Sequence, residues 1–224
     1  KTQKQKWKIT KDAADKWFDF SNTVLEQIKA LTYEINNTTY DQLEKVIDSD
    51  SDYKFSGLIG IGDAHYLKLC YDHLGRITYD RKIAKDRIKD HVRQLASEVS
   101  KYGTPERLFV ISGNDNIHVD GLHHSTTKGT SQHQATDGLW RLELKNYIKI
   151  QLDIIEYYKQ IAKVTVIPVK GNHDYETSIA IHDFLTLWYE NDKDVDVITC
   201  HDPRSYTQYG QVCLVNTHGD ELNS

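Results

Sequence analysis

Methionine does not occur in this chain of 224 residues, and cysteine occurs only three times, as Cys70, Cys200 and Cys213, with no CxxC pair or regular spacing. That argues against a disulfide framework and against a thiolate zinc site, and leaves buried free thiols as the expected role. No apolar run approaches the length that spans a bilayer, and the opening residues, KTQKQKWKIT, lack the apolar core of a signal peptide. A cytoplasmic protein with no membrane partner is expected. Positive charge is not in excess either. With 28 basic against 33 acidic residues the net charge is −5, so the overall balance does not draw the chain to DNA or RNA, and such contact requires a local basic groove. A start at Lys1 with no Met anywhere reads as a trimmed fragment.

What is present is the composition of a folded protein: 38% hydrophobic residues, 14 Tyr and 4 Trp. Between Thr10 and Tyr33, apolar residues such as Trp17, Val24, Leu25 and Ile28 recur at helical spacing, with Thr10 as N-cap. A shorter helix from Thr39 to Ile47 and a polar linker, Asp48–Asp52, follow. Residues 1–52 are therefore expected to form a small helical appendage, and residues 53–224 the main domain. From Tyr53 onward, short apolar runs alternate with long helical stretches, the pattern of an α/β domain. The strand candidates are Phe55–Ile61, Arg107–Ile111, Val164–Val169, Val195–Thr199 and Val212–Asn216, with Arg204–Tyr209 pairing to the last across Gly210. The helix candidates are Asp80–Tyr102, Asp137–Ile161 and Ile179–Tyr189.

Four of these strands end in Asp, His or Asn beside a glycine: Gly62-Asp63-Ala64-His65, Gly113-Asn114-Asp115, Gly171-Asn172-His173-Asp174 and His218-Gly219-Asp220. In open α/β sheets the carboxyl ends of strands line one crevice, so residues distant in sequence arrive at one place. Carboxylate, imidazole and amide oxygen together suit a borderline-to-hard divalent ion such as Mn²⁺, Fe²⁺ or Zn²⁺.

The series Asp63-x-His65, Gly113-Asn114-Asp115, Gly171-Asn172-His173-Asp174 and His218-Gly219 resembles the calcineurin-like metallophosphoesterase superfamily, in particular its phage and prophage branch. The resemblance runs from Phe55 to the end of the chain. It implies a β-sandwich core flanked by helices and a centre of two divalent ions, Mn²⁺ before Fe²⁺, Zn²⁺ or Mg²⁺. By that resemblance Asp63 and His65 bind the first ion, Asp115 bridges, and Asn172 and His218 bind the second. The two ions share a bridging hydroxide that attacks phosphorus. His173 then serves the leaving-group oxygen, and Asp174 holds the His173 ring. Gly-Asn-Asp stands where the family has Gly-Asp, so Asn114 and Asp115 both compete for the bridge; formal charge favours Asp115. The family's final GHxH has no counterpart up to Ser224, so either it lies further on or the site is incomplete.

The polar segment 116–136 is long for a connection and is a candidate active-site loop. His118, close to Asp115, and Asp120 lie in it, and Asn114, His118, Lys128 and Arg141 are candidates for substrate contact. The expected activity is that of a phosphodiesterase or nuclease acting on a phosphoester, DNA or RNA included. A phosphomonoesterase is the alternative, and a non-catalytic binding module with a damaged metal site a third.

Overall fold

A computed structural model describes residues 55–127, 133–199 and 202–220. The expected helical appendage over residues 1–52 lies outside them, as does Lys128. Within the described residues the chain is α/β. Strands β1 (Ser56–Gly60), β4 (Arg107–Gly113), β5 (Lys163–Val169) and β6 (Val195–Val197) form one parallel sheet in the order β1-β4-β5-β6. Two antiparallel hairpins accompany it, β2 (Cys70–Tyr71) with β3 (Ile77–Tyr79), and β7 (Arg204–Tyr209) with β8 (Val212–Thr217).

Parallel neighbours need crossovers, and three helices supply them. Helix α1 (Arg81–Ser100) lies between β1 and β4, α2 (Trp140–Lys159) between β4 and β5, and α3 (Tyr175–Trp188) between β5 and β6. The central strands read as near-continuous apolar runs because both faces are covered: Val164, Val166 and Ile167 of β5 and Leu108 of β4 have no exposure. Helix α2 contributes Leu152, Ile155 and Tyr158 to the same core. Each such side chain, fully buried, stabilises the fold by roughly 1.5–3 kcal/mol. No helix among the described residues is long and apolar enough to cross a membrane.

The sheet is held in register from Ser56↔Arg107 to Gly60↔Ile111 and from Arg107↔Lys163 to Gly113↔Val169. Strand β4 runs two residues past the expected end at Ile111 because Gly113, at φ 109°, passes so close to β5 that a Cβ there would collide with the carbonyl oxygen of Val169. Only glycine permits that approach. Strand β6 is shorter than the expected Val195–Thr199.

Helix boundaries depart from the periodic pattern for tertiary reasons. Helix α2 starts at Trp140 rather than Asp137, whose carboxylate instead accepts from the Arg81 backbone N–H and Nε, each at 3.0 Å. Helix α3 starts four residues before Ile179, because Asp120 caps it from the loop after β4: its Oδ2 accepts from the Glu176 N–H and its Oδ1 from the Thr177 N–H, both at 2.9 Å. The β2–β3 hairpin escapes the strand pattern. Its turn is built by Asp72, whose Oδ1 accepts from the N–H groups of Leu74 and Arg76 at 2.8 and 2.9 Å.

Candidate metal centre

The parallel sheet delivers the loops after β1, β4 and β5 to one edge. The first two are laced together by backbone hydrogen bonds: Asp63 N–H to Asn114 O (2.8 Å), His65 N–H to Asp115 O (3.0 Å), Tyr66 N–H to Asn116 O (2.7 Å) and His118 N–H to Tyr66 O (2.9 Å). Asp63, His65, Asn114 and Asp115 all take positive φ, at 60°, 42°, 68° and 57°. Asn, Asp and His tolerate this region better than other side chains, yet four such residues in two touching loops store strain of the kind found at functional sites. The third loop closes in at Gly171, where a Cβ would collide with Asp115 Oδ1 and the Asp115 backbone nitrogen.

All five residues expected as ligands meet here. Asp63 Oδ1 lies 2.9 Å from His65 Nε2, and the ligand atoms of Asp63, His65 and Asp115 lie within 4.8 Å of one another. On the other side, His218 Nε2 is 2.8 Å from Asn172 Oδ1 and 3.3 Å from Asp115 Oδ2, while its Nδ1 is 2.6 Å from Asn114 Oδ1. Asp115, 3% exposed, therefore stands between the two groups. Asn114 also faces the second group, so both residues of the Gly-Asn-Asp motif reach the centre.

The donor set fits a divalent cation. His218 Nε2, Asn172 Oδ1 and Asp115 Oδ2 converge, and each of these atoms can offer a lone pair to a cation.

His118 joins the centre more fully than its position in a polar loop suggested. It is 5% exposed, and its Nδ1 is 3.1 Å from His65 Nδ1. The rings of His65, His118 and His173 lie with centroids 4.7–5.1 Å apart, and these three also form a group able to hold a metal ion. Burial, followed by the neighbouring His65 and His173, pushes the His118 pKa down to about 3. Burial likewise lowers that of His65, against the opposing pull of Asp63. Both imidazoles are held in the neutral form that binds metals.

Asp174 does not hold the His173 ring. The His173 Nδ1–H donates to the His118 carbonyl oxygen (2.9 Å), whereas the Asp174 carboxylate, with no exposure, points inward and accepts from the Ile117 N–H at 3.0 Å. Burial, with Asp115 nearby, raises its pKa to about 7. Asp174 thus fixes the backbone that carries His118, and acts on the His173 ring only through it. Arg141 is exposed in the first turn of α2, and no hydrogen bond or ion pair described here ties it to the centre.

Several supporting residues carry no local sequence signal. The Tyr79 hydroxyl donates to the Ala64 carbonyl and pins the first ligand loop to the β2–β3 hairpin. Thr127 anchors the long loop: its N–H donates to Asn172 O (3.1 Å) and its hydroxyl accepts from the Tyr175 N–H (3.0 Å). Beneath the centre, the Ser112 hydroxyl donates to Gln151 Oε1 (2.9 Å) and Gln151 Nε2 donates to the Tyr147 hydroxyl (2.6 Å).

Comparison with known proteins returns nothing: no family model, no curated protein and no solved structure matches this chain significantly.

Proposed function

We infer that the chain is a metal-dependent phosphoester hydrolase of the calcineurin-like metallophosphoesterase type, acting as a phosphodiesterase or nuclease with two divalent ions, Mn²⁺ before Fe²⁺, Zn²⁺ or Mg²⁺. The observation that carries this reading is the position of Asp115 between Asp63 with His65 on one side and Asn172 with His218 on the other. In this reading the β7–β8 hairpin, whose Tyr209 ring meets Phe109 of β4 edge to face at 5.6 Å, belongs to the second layer of the family's β-sandwich.

Ions held at such a centre would supply Lewis-acid activation of water and would offset charge on the phosphoryl oxygens. The protein's own residues do the rest. Asp63, His65 and Asp115 would hold one ion, and Asp115, Asn172 and His218 the other. His173 has its Nδ1–H committed to the His118 carbonyl, so a proton passed to a leaving-group oxygen would come from Nε2 of the imidazolium and leave the neutral ring behind.

Metal content by elemental mass spectrometry, combined with hydrolysis of bis-p-nitrophenyl phosphate and p-nitrophenyl phosphate in Mn²⁺, tests the reading. Two ions per chain and faster turnover of the diester are expected. Turnover of the monoester alone indicates a phosphomonoesterase, and neither ions nor turnover indicates a binding module.

A further inference from the structure

Beside the candidate centre lies a cleft of about 750 Å³ formed by the first ligand loop, the β2–β3 hairpin and one face of α1. Asp63 and His65 line it together with Lys68, Tyr79, Arg87 and His91, so it is continuous with the centre. Its lining carries Lys68 and Arg87 against Asp63 and Asp90, so it lacks the acidic excess of the chain as a whole. Net charge is −5 overall, yet residues 81–93 carry six basic side chains against Asp86 and Asp90.

Three of those six basic groups are held in ion pairs. Arg81 pairs with Asp137 and Glu143, Lys82 with Asp86, and Arg93 with Asp90. The charges of Lys85 and Lys89 act on Asp153 of α2. Arg87 instead lines the cleft, its guanidinium 5.3 Å from the centre of the Tyr79 ring, and that ring is tied by its hydroxyl to Ala64 inside the ligand loop. Lys68 sits close enough to His65 and His118 for its charge to oppose their protonation. The acidic groups in the lining are Asp63, which a bound cation would neutralise, and Asp90.

We propose that this cleft is the track of a single-stranded nucleic acid, in which Lys68 and Arg87 bind phosphates flanking the scissile one and the Arg87–Tyr79 cation–π pair supports a base. The proposal rests on the hydrolase reading and extends it to a polynucleotide substrate. A monoester brings one phosphate to the ions and has no use for cations held outside the ligand set, whereas a polyanion does. A guanidinium on an aromatic face offers a flat surface to an unstacked base. A duplex keeps its bases stacked inward and leaves that surface unused.

The test uses the full chain in Mn²⁺, with Arg87→Ala, Lys68→Ala and, at the far end of α1, Lys101→Ala. Binding of a fluorescein-labelled phosphorothioate oligothymidylate, which resists cleavage, is followed by anisotropy over a salt series. Hydrolysis of the ordinary oligothymidylate is compared with that of bis-p-nitrophenyl phosphate. Arg87→Ala is expected to weaken binding about tenfold, and each of the two cleft variants to reduce the salt slope by about one. The ratio of oligonucleotide to small-diester kcat/KM should fall by a similar factor, and more than in Lys101→Ala. Equal binding by wild type and Arg87→Ala, or a loss no larger than in Lys101→Ala, overturns the proposal. Normal small-diester turnover with an unmoved ratio removes the cleft and keeps the hydrolase. Arg87-dependent binding without hydrolysis of either substrate keeps the cleft and removes the hydrolase.

Discussion

The carboxylate of Asp115 accepts a hydrogen bond from the backbone N–H of His173 at 2.8 Å, so the group that stands between the two candidate ion positions is held by the turn that supplies Asn172. Asp115→Asn keeps an oxygen able to accept that bond, but removes the charge and replaces the second oxygen with an NH2 group. The expected result is a folded protein with less than about 1 kcal/mol lost, and a drop in metal occupancy and turnover of roughly a hundredfold. Urea unfolding, elemental mass spectrometry and diester hydrolysis on one preparation check the three parts together.

His173 lies in the three-imidazole cluster, and the proposed mechanism gives it the leaving group to serve. His173→Asn is expected to leave both ions bound while turnover falls about 10²–10⁴-fold, the usual contribution of a positioned acid or base. Loss of an ion from this variant would place His173 among the ligands instead.

Asp120 caps α3 from another loop, so Asp120→Ala should unfasten both. A cost of about 1–2 kcal/mol is expected. Hydrogen exchange should show faster exchange of the Glu176 and Thr177 amides, with β5 unchanged.

His182 is buried on α3, with its Nε2–H on the Ser112 carbonyl (3.1 Å) and no partner for Nδ1. Burial pulls its pKa down to about 4 from 6.5. The unfolded chain therefore takes up a proton below pH 6.5 that the folded chain refuses until about pH 4. Stability from this residue is fully present above pH 6.5 and falls by about 3 kcal/mol as the pH drops through that window. His182→Gln removes this dependence, so the difference between variant and wild type in urea titrations at pH 7 and pH 4.5 isolates it.

Chelation should spare the fold, because β4 and β5 bury their side chains without help from an ion. Circular dichroism is expected to change little on addition of EDTA; global unfolding would show that the centre holds the sheet edge together.

The strands were legible because β-branched runs such as Val164–Val169 need no tertiary information to be recognised, and the motifs at their ends were legible because each follows such a run. The ends of helices were less so. Where α3 begins is decided by Asp120, more than fifty residues away in sequence, and where α2 begins by Arg81. The β2–β3 hairpin, with strands of two and three residues, is too short to show an alternation. At the site, sequence adjacency misleads. His173 and Asp174 are neighbours, but one turns its ring to the His118 carbonyl and the other its carboxylate to the Ile117 N–H. Only the fold reveals His118 as a member of the imidazole cluster.

The backbone lacing of Asp63, His65 and Tyr66 to Asn114, Asp115 and Asn116 makes the first two ligand loops a single mechanical part. An insertion in either one displaces donors on both, so length variation is tolerated only outside the laced residues. For the same reason, the smallest piece that can be transplanted into another parallel sheet is the pair of neighbouring strands with both loops attached.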